Sequence, residues 1–285
     1  MTPAPLTGLA IADALGMPFE TQPHDSPALL AWDGSYGSSE YHKLGPGQWT
    51  DDTQMSLALA NSLLENRAYL PINVADSYLK WFKSGDCRGI GTNTKRAMQN
   101  LEMGVSFLAS GIPLAEGNGT AMRAAPIGVA FRKSTEHVVF LSGFDSAITH
   151  ASAEAMNGST AVALAVAHLV LGGARISLIP TLLPYLTTSR VKAKLEALAS
   201  PRPNITAHVA DTLEAAFYAF MSTRSFTEAV ETAIRYGGDT DSVGAITGAL
   251  AGAYYGYENI PKSYIEKLEL ANEIHDIELR LLNWD

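Results

Sequence analysis

The sequence predicts an all-α protein, and three observations carry the prediction. Met55, Leu59 and Leu63 recur at four-residue spacing, and the Ala-, Leu- and Met-rich segments near 90–103, 151–171, 206–222 and 261–281 repeat that apolar period. Alanine, leucine and methionine are also among the residues that lose least on entering a helix. Sustained period-two alternation, the mark of a half-buried strand, is scarce.

Taken in chain order, the first element is the apolar stretch Leu6 to Leu15. No Lys or Arg precedes it and Asp13 interrupts it, so it reads poorly as a secretory signal, and the expected compartment is the cytoplasm. The second is the helix carrying Met55, Leu59 and Leu63, which directly follows Thr50-Asp51-Asp52-Thr53. The longest apolar run, Ala161 to Leu171, is broken by His168 and falls far short of the roughly 20 residues a membrane span needs, so it predicts a core helix. Near the end, Gly244, Gly248, Gly252 and Gly256 recur every fourth residue and so share one helical face. Glycine in a helix interior costs about 1 kcal/mol relative to alanine, which predicts a compensating close approach by another helix backbone. The punctuation between elements is ordinary turn chemistry: Gly45-Pro46-Gly47, Gly111-Ile112-Pro113, Gly172-Gly173, Pro201-Arg202-Pro203 and Gly237-Gly238. None of these is long enough to be a linker, so residues 1–285 are expected to form a single domain.

The 285-residue chain is 47% hydrophobic, ample for a sizeable core. A formal net charge of −9 argues against general nucleic-acid or anionic-membrane binding, because there is no basic surplus to displace counterions. A single cysteine, Cys87, excludes an internal disulfide framework and a Cys-rich metal site.

The chemistry is concentrated in two short clusters, Thr50-Asp51-Asp52-Thr53 and Asp239-Thr240-Asp241-Ser242, each at a loop-to-helix junction. Carboxylates crowded in this way repel one another unless divalent cations neutralise them, and oxygen ligands favour Mg²⁺, Mn²⁺ or Ca²⁺ over zinc. Thr50 and Asp239 also suit plain N-caps followed by first-turn acids. Gly117-Asn118-Gly119-Thr120, ahead of a helix-like stretch Ala121 to Phe131, resembles a phosphate cradle and equally a common Asn-Gly turn. Arg123 follows as either a cation for an anionic ligand or a salt-bridge partner. Thr149-His150 is expected to open the long apolar helix, where a protonated imidazole is disfavoured. Glu20 ends the turn-prone Gly16-Met17-Pro18-Phe19-Glu20, where an acid is expected to be mobile. Rival motifs fail: an EF-hand from Asp239 would place Val243 and Leu250 at ligand positions, and Met55 stands where a prenyl synthase needs its third acid.

In order along the chain, Leu15-Gly16-Met17-Pro18-Phe19-Glu20, Gly47-Gln48-Trp49-Thr50-Asp51-Asp52-Thr53, Gly117-Asn118-Gly119-Thr120-Ala121-Met122-Arg123, Thr149-His150 and Gly237-Gly238-Asp239-Thr240-Asp241-Ser242 resemble the ADP-ribosylglycohydrolase family. The resemblance spans about Leu6 to Gly256. It implies an all-α orthogonal bundle with a dinuclear Mg²⁺ or Mn²⁺ cleft that cleaves ADP-ribose from a modified acceptor, by a protein acting as a monomer. It further implies that Glu20, Thr50, Asp51, Asp52, Asp239, Asp241 and Ser242 hold the metals, with Glu20 and Asp51 as catalytic acids or bases. Gly89, Gly91, Gly117, Asn118, Gly119, Thr120, Met122, Arg123, His150 and Phe217 would contact substrate. Ser242 replaces the usual threonine and keeps the hydroxyl, and Ala12 replaces a common glycine. Gly89 stands where some members carry an aspartate, from which O-linked conjugates are expected to be better substrates than arginine-linked ones. The alternative is a silent ADP-ribose binder or structural relative.

Overall fold

The structure is a computed structural model describing residues 1–187 and 189–284. Its helices are α1 (Pro5–Gly16), α2 (Pro27–Leu30), α3 (Asp51–Asn66), α4 (Pro71–Lys83), α5 (Thr92–Glu102), α6 (Ala125–Ala130), α7 (Thr135–Thr149), α8 (Ala153–Val170), α9 (Leu178–Leu182), α10 (Ser189–Ala197), α11 (Val209–Ser222), α12 (Phe226–Ile234), α13 (Thr240–Tyr255), α14 (Lys262–Ile265) and α15 (Ala271–Leu282). Among the described residues the only β pairing is a set of isolated bridges, two of which join Ile112 to His150 and Gly117 to His208. The all-α expectation is therefore met.

Three boundaries differ from the sequence reading. The stretch from Ala121 contributes helix only over Ala125–Ala130, because Pro126 has no amide to donate and is tolerated only in a first turn. His150 does not open α8. It closes α7 in extended backbone, and Ser152 caps α8 by accepting from the Ala155 amide. The segment 261–281 is two helices, broken where Leu270 adopts a left-handed φ of 55°.

The centre is an antiparallel pair, α1 against α13. Every residue of α1 is buried. A Cβ on Gly248 would overlap the Gly8 carbonyl oxygen, one on Gly252 the Ala4 carbonyl, and one on Gly244 would come within 2.7 Å of the Ala12 carbonyl. Small residues every fourth position on both helices thus let the backbones touch, as the glycine spacing of α13 predicted. Gly256 is the exception: it caps α13 at φ 78°. The N-terminus of α1 lacks a local side-chain cap, and Glu278 of α15 supplies one from across the molecule. Its carboxylate accepts from the Leu6 amide at 2.6 Å and the Thr7 hydroxyl at 2.7 Å. This packing brings the C-terminal end of α1 and the N-termini of α3 and α13 to one place. The Thr240 hydroxyl closes the join, donating to the Gly16 carbonyl at 2.8 Å.

Candidate active site

A cleft at that junction is lined by Glu20, Asp51, Asp52, Asp239, Asp241 and Ser242 on one side and by Gly89, Gly91, Gly117, Asn118, Gly119, Met122 and His150 on the other. Both acidic clusters therefore meet, although 190 residues separate Asp52 from Ser242, whose hydroxyl lies 3.4 Å from the Asp52 carboxylate. Thr50 caps α3, accepting from the Asp52 amide, so the cap reading of that residue holds alongside its place in the cluster. Asp239 occupies the cap position of α13 without a capping bond, and instead accepts from the Asn118 side chain at 2.5 Å. The Asp241 carboxylate accepts from the Ser242 amide at 2.9 Å.

Beneath these acids lies Asp13, which sequence reasoning treated only as an interruption of an apolar run. It accepts from the Thr50 amide at 3.1 Å, the Thr50 hydroxyl at 3.0 Å and the Thr53 hydroxyl at 2.6 Å. It thereby fixes the first turn of α3 to the middle of α1. The available signal was the one acid in an otherwise almost wholly apolar helix.

Burial dominates the electrostatics. It pushes Asp13 and Asp239 up to about 6, opposed in Asp13 by the Thr53 and Thr50 hydrogen bonds. Asp51 is pushed up to about 8 by burial and by the negative charges of Asp13 and Glu20. Asp52 and Asp241 are raised well above the carboxylate range by burial and neighbouring acids. Among the described residues, no Lys or Arg lines the cleft. One oxygen of Asp52, Oδ1, is buried without a hydrogen-bond partner among the described residues. Clustered carboxylates, no cationic side chain and an unsatisfied buried oxygen together fit a divalent cation. Ligand atoms of Glu20, His42 and Asp241 also lie within 4.8 Å of one another.

His42 is a second residue that the sequence did not reveal. It is nearly buried, pairs with Glu20, and lies beside the Gly89 backbone. The backbone after Glu20 is pinned rather than free: the Thr21 amide donates to the Gly238 carbonyl and the Gly238 amide to the Gln22 carbonyl, both at 2.8 Å. In this conformation the Glu20 segment is thus tied through its backbone to the start of α13. Thr92, Asn93 and Thr94, at the start of α5, also line the cleft and carried no motif.

Three expected substrate contacts do not reach the cleft. Arg123 is fully buried, and all five of its N–H groups are consumed internally. Nε donates to Asp145 at 3.1 Å, one terminal nitrogen to the Gly119 carbonyl at 2.9 Å and Met55 Sδ at 3.8 Å, and the other to the Asp145 carbonyl at 3.2 Å and the Thr149 hydroxyl at 3.0 Å. Nothing remains for a ligand. Phe217 is fully buried on α11 within the main core. Thr120 is fully buried, its hydroxyl donating to the Ala155 carbonyl at 3.3 Å and accepting from Ser146 at 3.1 Å. His150 does line the cleft, and burial followed by the Arg123 charge lowers its pKa to about 3, so the ring is neutral. The cause differs from the expected helix-start position, because the residue ends a helix.

Comparison with known proteins agrees with this arrangement. The family model described as ADP-ribosylglycohydrolase matches residues 4–284. The chain is 34% identical to an ADP-ribosylarginine hydrolase, Tri1, of Serratia proteamaculans (strain 568), over 95% of this chain and 76% of the relative. It is 27% identical to an ADP-ribosyl-[dinitrogen reductase] glycohydrolase of Rhodospirillum rubrum, over 93% and 89%. A solved structure titled ADP-ribosylglycohydrolase-related protein complex superposes with a TM-score of 0.87 at 30% identity, covering 99% of this chain and 96% of its own. With fold, acidic cleft and whole-chain similarity in agreement, the protein belongs to the ADP-ribosylglycohydrolase family.

Proposed function

We propose that this protein is a metal-dependent hydrolase that cleaves the bond between the C1″ carbon of ADP-ribose and a modified acceptor, releasing ADP-ribose. The observation that carries this reading is the convergence of Glu20, Asp51, Asp52, Asp239 and Asp241 in one cleft that no Lys or Arg among the described residues lines. Residues fitted to hold two divalent cations, Mg²⁺ or Mn²⁺, are Glu20, Thr50, Asp51, Asp52, Asp239, Asp241 and Ser242. Bound there, such ions supply positive charge and Lewis acidity.

The chain's own residues divide the remaining work. Asp51, which borders the cleft on the same side as Glu20, is the carboxylate placed to exchange a proton with water or a leaving group. Glu20, oriented by His42, borders the same space. Gly117 and Gly119 keep the opposite wall open, because a Cβ on Gly119 would come within 2.9 Å of His150. This bare backbone suits the diphosphate and ribose of the substrate. The silent-binder alternative has no feature in its favour, since the four aspartates of the two clusters and Ser242 all line the cleft. The reading extends to one domain over residues 1–285, acting as a cytoplasmic monomer; no helix of the described residues is long and apolar enough to cross a membrane.

The acceptor is part of the proposal. Asp86, the acid nearest Gly89 in sequence and the one that could stand in for a carboxylate there, is 63% exposed, pairs with Arg88 and is not among the residues lining the cleft. The expectation of better O-linked turnover therefore stands against the arginine specificity in the name of the Serratia relative. Release of ADP-ribose from serine- and arginine-linked peptides, measured side by side with Mg²⁺ and with a chelator, tests both levels. Chelator-resistant release, or no release from any conjugate, would sink the hydrolase reading; an arginine preference would sink the acceptor argument alone.

A further inference from the structure

The fully engaged guanidinium of Arg123 fixes the polarity of a chain of hydrogen bonds that ends in the cleft. An arginine can only donate, so the Thr149 hydroxyl must accept from it at 3.0 Å. Thr149 is fully buried, and among the described residues the acceptor within reach of its own proton is His150 Nδ1, also at 3.0 Å. Were Nδ1 protonated instead, the Thr149 oxygen would accept twice and its proton would be left without an acceptor among the described residues. Buried hydroxyls rarely tolerate that. The other ring nitrogen, Nε2, meets no hydrogen-bond partner within the described protein and lies 3.4 Å from the position a Cβ would take on either Gly117 or Gly119.

We propose that Arg123 and Thr149 are positioning residues that hold His150 as its Nε2–H tautomer, so that the ring presents a hydrogen-bond donor to a substrate oxygen seated against the Gly117–Gly119 wall. The same guanidinium holds the Gly119 carbonyl at 2.9 Å, so ring and wall share one anchor. Arg123 is itself held from behind: its guanidinium lies over the Tyr78 ring at 4.6 Å, and Tyr78 donates to Asp145 at 2.9 Å. A neutral donor suits a ligand oxygen that is already charged, because it needs no proton uptake on binding. The substrate assignment rests on the function proposed above, whereas the tautomer does not.

The test is two-bond ¹⁵N–¹H correlation NMR of histidine-labelled, ligand-free protein, with the His150 signals identified by their loss in His150→Gln. Protonated Nε2 and unprotonated Nδ1 are expected, with no titration between about pH 5 and 8. Thr149→Val should mix the tautomers and weaken ADP-ribose binding about five- to tenfold by calorimetry, while Thr149→Ser should preserve both properties. Protonated Nδ1 in the parent protein, or an unchanged tautomer in a folded Thr149→Val, would overturn the proposal. If Thr149→Val does not fold, the parent and Thr149→Ser spectra decide. A parent protein with protonated Nε2 that binds no ADP-ribose would refute the assigned function and leave the tautomer assignment standing.

Discussion

At the scale of single residues, the acids of the cleft oppose folding and serve chemistry. Asp52→Asn and Asp241→Asn remove a buried carboxylate whose charged form is strongly disfavoured. The expected outcome is a hydrolysis rate lowered at least about a hundredfold, with the melting temperature of chelator-treated protein unchanged or raised by about 2–4 °C. Calorimetry beside an activity assay checks this; a lower melting temperature with activity retained would assign both acids to structure. Gly89 is constrained differently. It sits at φ 79°, and a Cβ there would come within 3.2 Å of Asp51 Oδ1 and of the His42 ring. Gly89→Ala should therefore cost about 1 kcal/mol in urea unfolding and lower kcat more than it alters ADP-ribose affinity. The acids were legible because each cluster is contiguous, so a local reading sufficed. Of the two readings of Arg123 the salt bridge holds, and the sequence could not choose it because the partner, Asp145, comes 22 residues later on α7 and only the fold shows the pair. Asp13 escaped for the same reason, its hydroxyl partners lying 37 and 40 residues away.

Among the elements, the α1–α13 contact makes the sharpest prediction. Gly248→Ala would drive a methyl group into the Gly8 backbone, and neither main chain can yield without parting the helices. A loss of about 3 kcal/mol in equilibrium unfolding is expected. Gly143→Ala in α7, where a Cβ would meet nothing within 4 Å, should instead gain up to about 1 kcal/mol from helix propensity. Equal effects at the two positions would refute close packing as the reason for the α13 glycines. The sequence announced one side of this contact through its glycine period. The other side, Ala4, Gly8, Ala12 and Gly16, was masked by the surrounding leucines and isoleucines, which dominate any reading of apolar pattern. Element ends were less legible than element interiors, since Ser152 rather than Thr149 decides where α8 starts, and a cap depends on the path by which the chain enters a helix.

For the whole molecule, raised carboxylates set the sign of pH dependence. Asp13, Asp51, Asp52, Asp239, Asp241 and Glu278 are all raised, so between their unfolded and folded values the folded chain binds more protons than the unfolded one. Their contribution is fully present below about pH 4 and is lost as pH rises through the folded values. Chelator-treated protein should accordingly melt lower at about pH 8.5 than at about pH 5. Saturating Mg²⁺ should stabilise more at the higher pH, because ions compete with protons for these oxygens. A melting temperature that climbs with pH in chelator would contradict this. The join between α1 and α13 also bears on how the protein is made. Thr240 emerges from the ribosome 224 residues after Gly16, a delay of roughly 10–45 s at ordinary translation rates. During that interval α1 can meet α3 through Asp13, Thr50 and Thr53, but its small-residue face lacks the helix that covers it. A chain arrested before residue 240 would carry one acidic cluster with no opposing half, so truncated products should be inert rather than partly active.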